Sequence, residues 1–155
     1  MQTENQMQKW LDGQITLGAA ADWNKDEIRI ISEIAYSLAQ QGRIREAIVM
    51  FEGLLAIAPA TAYFQAALGA LHLRLKNFPK AVEHLDAALE IEPDDIISIV
   101  NRGEAKMRIE KTEDARADFA KAVELSASKK RRFDGSDEIT LAAKRARALL
   151  QTLKP

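Results

Sequence analysis

The chain contains no cysteine, which excludes a disulfide framework, a thiolate metal site and a cysteine nucleophile, and suits a reducing compartment. It also has no apolar run near the roughly 18 residues that a membrane span needs. The opening residues MQTENQMQKWLDG lack both the basic start and the apolar middle of a signal peptide. These absences predict an intracellular, cytoplasmic protein with no membrane partner. Proline and glycine are scarce, with four and seven in 155 residues, so each is informative as a breaker of regular structure.

The residues of catalysis are also missing. There is no glycine-rich phosphate loop and no Gly-x-Ser-x-Gly elbow. His72 and His84 are 12 apart, with no second pair of ligands near them in sequence. Each therefore reads as a hydrogen-bonded or surface histidine. Asp94 and Asp95 follow Pro93, where capping of a helix start accounts for them. We expect no enzyme, no catalytic residue, no metal and no cofactor.

A net charge of -1 conceals an uneven distribution. Residues 1–125 carry 14 Lys or Arg against 20 Asp or Glu, whereas residues 126–155 carry 8 against 3. A nucleic-acid partner would rest on the cluster Lys129 to Arg132, which stands without a recognition-helix pattern or interleaved aromatics. The composition therefore favours a solvated loop there and argues against nucleic acid.

What is present is repetition. The stretch NFPKAVEHLDAALEIEP, residues 77–93, lies over GRIREAIVMFEGLLAIAP at 34 residues back and over EKTEDARADFAKAVELSA at 34 forward. In this register Ala47, Ala81 and Ala115 align, as do Ala35, Gly69 and Gly103; Phe51, Leu85 and Phe119; and Leu54, Ala88 and Ala122. Apolar residues such as Ile31, Ile34 and Leu38, or Ala47, Phe51 and Leu54, recur at three- and four-residue spacings, so each unit reads as two helices. Gly42 and the turn Asn77-Phe78-Pro79 separate helices within units, and Pro59 and Pro93 stop the second helix of one unit before the next. Small residues on the first helix let the large residue of the second pack down onto it. Stacking then encloses the apolar faces, each buried Leu, Ile or Phe contributing about 1.5–3 kcal/mol.

Flanking segments complete the expected plan. Thr3 with Gln6 resembles a capping box ahead of Met7, Trp10 and Leu11, and Asn24 with Glu27 makes another before the first unit. Gly13 and Gly18 loosen the connection, so Met7, Trp10 and Leu11 either tuck against the first unit or pair with a second copy as a homodimer contact. At the other end Ser136, Asp137 and Glu138 open a closing helix with the stripe Ile139, Ala142, Ala146, Leu149 and Leu153.

A 34-residue helix-turn-helix unit with small, small, aromatic and Pro at these offsets resembles the tetratricopeptide repeat, although Ile31, Gln65 and Ile99 replace its usual tryptophan and Ala127 its last proline. The resemblance implies an all-α fold, three repeats in a right-handed superhelix between a short N-terminal helix and a C-terminal capping helix. The expected divisions are 1–23 (helical segment), 24–127 (repeats), 128–136 (basic loop, starting as early as 126) and 137–155 (cap). It further implies a concave groove lined by the first helices: Arg29, Ser32, Tyr36, Ala39 and Gln40 from the first unit, then Tyr63, Ala66, Ala70, Leu73 and Arg74. From the third come Ile97, Val100, Glu104, Met107 and Arg108. Such a groove would have an apolar floor and a cationic edge at Arg74 and Arg108, suited to apolar anchor residues of a protein or peptide. Ser32, Tyr36, Ala67 and Ile97 stand where clamps for chaperone-tail carboxylates place polar residues, leaving Asn101 alone in the expected manner, which argues against a clamp.

Three repeats, both helical flanks, an apolar groove and this length also resemble the bacterial chaperones that hold hydrophobic translocators of type III secretion. That resemblance implies a chaperone for an extended apolar client segment. The alternative is an intracellular scaffold that docks a folded partner.

Overall fold

The computed structural model describes residues 8, 9, 12, 14, 23–130 and 137–153, with the backbone alone at 129 and 130. Expectations resting on Thr3, Gln6, Met7, Trp10, Leu11, Gly13, Gly18, Arg131, Arg132 and Ser136, and on the side chains of Lys129 and Lys130, lie outside the described residues.

Seven α-helices make up the described fold, with no strand among the described residues: α1 (Lys25–Gln40), α2 (Ile44–Ile57), α3 (Ala62–Arg74), α4 (Phe78–Ile91), α5 (Ile96–Arg108), α6 (Thr112–Lys130) and α7 (Asp137–Thr152). Consecutive helices pair as hairpins, each hairpin packs on the next, and α7 lies against both α6 and α5. Asn24 starts α1 as the capping pattern predicts: its side-chain oxygen accepts from the amides of Asp26 and Glu27, and its own amide donates to the Glu27 carboxylate.

The period extends to the turns. Gly42, Lys76 and Glu110, each 34 residues from the next, are the left-handed positions that end α1, α3 and α5, with φ of 80°, 60° and 62°. After each, an amide reaches back to a carbonyl five residues earlier, Arg43 to Leu38, Asn77 to His72 and Lys111 to Lys106, which is the Schellman closure of a helix end. Asn77 precedes α4, while Phe78 and Pro79 lie in its first turn and not in the loop. A proline needs no amide partner there, so it opens the helix instead of breaking it.

A second correction concerns the basic segment. Residues 126–130, expected in a loop, continue α6 to Lys130. Here Ala127 stands where Pro59 and Pro93 follow the earlier second helices, Ser126 is buried, and no Gly or Pro interrupts the run.

The repeat register is the packing register. Ala35, Ala47, Ala81, Ala115, Leu85 and Phe119 are fully enclosed, and Phe51 and Leu54 nearly so. A Cβ built on Gly69 would sit 2.4 Å from Leu85 Cγ, and one on Gly103 would sit 2.6 Å from Phe119 Cε1. The small residue is therefore a steric requirement. We expect Gly103→Ala to lower stability by about 1–3 kcal/mol through overpacking. Gly53→Ala, exposed in mid-helix with nothing within 4 Å of its Cβ, should raise it by about 0.5–1 kcal/mol through helix preference. Urea unfolding of both variants checks this pair, and equal signs would contradict it.

One histidine, His72, departs from expectation. His72 of α3 is 6% exposed and both its ring nitrogens are buried without a hydrogen-bond partner. It stacks on His84 of α4 with ring centroids 5.4 Å apart and planes 2° from parallel. His84 Nδ1 meets Gln65 Oε1 at 2.8 Å. Burial pushes both imidazoles below their usual range; for His72 the neighbouring His84 and Lys80 push the same way, while Glu52 and Glu83 oppose. Depressed folded values mean that the unfolded chain binds protons first as pH falls. Stability should thus be fully present above about pH 6.5, the unfolded value, and decline as pH falls through the folded values. Thermal unfolding at pH 7.5 and pH 5 tests this, with a lower midpoint expected at pH 5 and a smaller difference for His72→Leu.

Candidate functional site

Alternation of large and small residues along α1 and α3 shapes the site. Tyr36, Ala39 and Gln40 of α1 face Tyr63, Ala66, Ala70 and Arg74 of α3, and Ile97, Ser98 and Asn101 of α5 close the far side, enclosing about 480 Å³. Spacings of three and four residues put each set on one helix face. The alanines, with Ala62 and Ala67, carry nothing beyond Cβ, so the floor is recessed. Tyr36 and Tyr63 rise beside it, 51% and 50% exposed, an unusual state for large aromatic surface. Tyr63 is held by edge contacts to Phe51 and Phe64, with ring centroids 6.0 and 5.9 Å away. Burial, and then the neighbouring Tyr36, raise its phenol above the usual range. Such a trough fits apolar side chains, with Gln40 and Asn101 beside it for a peptide's polar backbone.

Eight of the expected groove residues line this space together: Tyr36, Ala39, Gln40, Tyr63, Ala66, Ala70, Arg74 and Ile97. The others are placed elsewhere. Arg29 faces solvent, paired within its own helix to Glu33 at 2.7 Å, and the Ser32 hydroxyl donates to the Arg29 carbonyl. Leu73 packs into the core beside Ala81, Leu85 and Ala105. Val100 is fully enclosed, and Met107 packs against the cluster that includes Ala142 and Ala146 of α7. Glu104 is paired with Arg145 of α7 at 2.6 Å, and Arg108 is exposed beyond the cavity. The closing helix thus covers much of the α5 face that was expected to be open.

Nor is the edge cationic. Arg74 Nη1 donates to the Ala39 carbonyl at 3.0 Å, tying α3 to α1. Three carboxylates line the same cavity: Glu92 at the end of α4, Asp95 at the start of α5 and Glu138 in the first turn of α7. Asp95 also accepts from the Ser98 amide. Deeper along α5, burial pushes the Glu104 carboxyl up against the pull of Arg145 and Arg108. Leu71 of α3 and, from second helices, Phe51 and Ala88 also contribute to the lining; no local pattern marked the latter two, because second helices reach the groove only through tertiary packing.

Comparison with known proteins agrees with the fold. Residues 38–101 match the tetratricopeptide-repeat family. Bovine peptidyl-prolyl cis-trans isomerase FKBP4 is 36% identical over 63 residues, which is 41% of this chain and 14% of that protein. Among solved structures, a type III secretion complex from Aeromonas hydrophila superposes with a TM-score of 0.81 at 20% identity, covering 95% of this chain and 93% of that one. PcrH of Pseudomonas aeruginosa, bound to the chaperone-binding region of PopD, gives 0.74 at 18% identity over 84% and 92% of the two chains. The Yersinia enterocolitica chaperone SycD, with a peptide of the translocator YopD, gives 0.73 at 15% identity over 84% and 94%. The chain thus matches the tetratricopeptide-repeat family over residues 38–101, and its fold resembles those of type III secretion translocator chaperones.

Proposed function

We propose that this protein is a non-catalytic, cytoplasmic chaperone whose groove holds an extended apolar segment of a type III secretion translocator. The observation that carries the reading is the alanine floor between two half-exposed tyrosines, Tyr36 and Tyr63. A recessed apolar surface of this kind gains most from a bulky side chain delivered by an extended peptide, since a few central anchors supply most of the binding energy. Support also comes from PcrH and SycD, which share the fold and are seen with translocator segments. Residues 24–127 act as the repeat stack and 137–155 as its cap. Residues 1–23 act as the segment through which two copies associate, and a dimer has been described for SycD.

Two measurements test the proposal. Calorimetric titration with ten-residue peptides bearing two leucine anchors should show binding that is lost when both anchors become aspartate. Co-expression with a full-length translocator should keep that protein in the soluble fraction. Binding indifferent to the anchors would overturn the groove, and capture of folded partners without any solubility effect would favour a scaffold.

A further inference from the structure

The groove's charge narrows its choice of partner, an inference that rests on the peptide-binding reading above. We infer that the groove selects an extended segment carrying a Lys or Arg beside its apolar anchor, placed toward the end where α4, α5 and α7 converge. Glu92, Asp95 and Glu138, at the C-terminus of α4 and the N-termini of α5 and α7, line the cavity, and Arg74 is the one lining cation among the described residues. That guanidinium is turned to the Ala39 carbonyl. Neither Glu92 nor Glu138 forms an ion pair among the described residues. The positive N-termini of α5 and α7 offset part of this charge, while the C-terminus of α4 adds to it, so a net negative field remains over an apolar, partly enclosed floor. Low-dielectric walls concentrate such a field on whatever enters.

The protein itself shows how a cation docks here. Arg145 of α7 reaches the adjoining face of α5, where its Nε meets Glu104 and its Nη2 donates to Asn101 Oδ1, both at 2.6 Å. Asn101 is also part of the groove lining. The chain's own guanidinium thus answers Glu104, while Glu92, Asp95 and Glu138 are left to an incoming residue. A client of this kind gains Coulomb attraction and hydrogen bonds at the acidic end without giving up its anchor on the alanine floor.

Three capped ten-residue peptides with identical leucine anchors, flanked by Lys, Gln or Glu, provide the test when titrated into the full-length protein at low and at physiological salt. The Lys peptide should bind about tenfold more tightly than the Glu peptide at low salt, with the gap narrowing as salt is added. In the variant Glu92→Lys/Glu138→Lys, which alters exposed side chains, the order of Lys and Glu peptides should reverse. Equal affinities for the three peptides, or preference for Glu, would overturn the inference while leaving the groove in place. No binding by any of them would overturn both. Should the double variant fail to fold, the wild-type series decides by itself.

Discussion

Asp118→Ala is expected to destabilise the protein by about 3 kcal/mol, a shift of roughly 6–12 °C in melting temperature for a chain of this length. Asp118 of α6 has a side chain 7% exposed and is held by two cations through three contacts. Arg102 of α5 donates to both of its oxygens, at 2.9 and 2.6 Å, and Lys106 approaches at 3.0 Å. Arg102 also reaches Asp86 of α4 at 2.8 Å, so the network joins the second hairpin to the third. Both cations are largely buried, at 20% and 14% side-chain exposure. Taking away the carboxylate leaves Lys106 without its counter-charge and Arg102 with a half-exposed partner. The expected loss comes from those stranded charges more than from the value of the ion pair itself. Asp118→Asn keeps the shape and one acceptor, and should fall between the wild type and alanine. A change below about 1 kcal/mol for Asp118→Ala, the range of a surface pair, would show that water reaches the network freely.

The second large effect concerns binding. Tyr63→Asp should weaken an apolar-anchor peptide by about 2 kcal/mol or more, roughly thirtyfold in Kd. It removes the aromatic wall over the alanine floor and adds a fourth negative charge to a groove already lined by Glu92, Asp95 and Glu138. Because Tyr63 also makes edge contacts with Phe51 and Phe64, part of its effect could come through the core. Ala66→Leu separates the two causes. It fills the trough from a half-buried floor position and should block the peptide while circular dichroism and melting temperature stay near those of the wild type. Full-strength binding by a folded Ala66→Leu protein would remove the groove from the account.

The period of 34 made the architecture legible, because one steric rule is written at each turn of the stack. Ala47, Ala81 and Ala115 are all fully buried, and Gly69 and Gly103 admit Leu85 and Phe119 at distances a Cβ would forbid. The left-handed turns at Lys76 and Glu110 were less visible, since Gly42 alone carries the residue that normally signals such a turn. The end of α6 was misplaced for want of a breaker between Ser126 and Lys130.

The groove was legible where one helix face determines it. Along α1 and α3 the repeat family's groove offsets fall on Tyr36, Tyr63, Ala66 and Ala70, which line the cavity. Along α5 the same offsets fall on Val100, Glu104 and Met107, which lie outside the cavity lining because α7, distant in sequence, covers that face. The acidic end draws Glu92, Asp95 and Glu138 from three helices, and no local pattern foretells that convergence. His72 carried no signal of its buried, unpartnered state, since apolar residues occur on all sides of α3.

Mapping of amide chemical shifts on the full-length, isotope-labelled protein, with the lysine-flanked leucine peptide added stepwise, tests the central claim most directly. The account predicts that the perturbed amides cluster at Tyr36, Gln40, Tyr63, Ala66, Ala70 and Asn101, with Asp95 and Glu138 following at the acidic end. Perturbations gathered instead on exposed positions of the second helices, such as Val49 and Ile91, would contradict it.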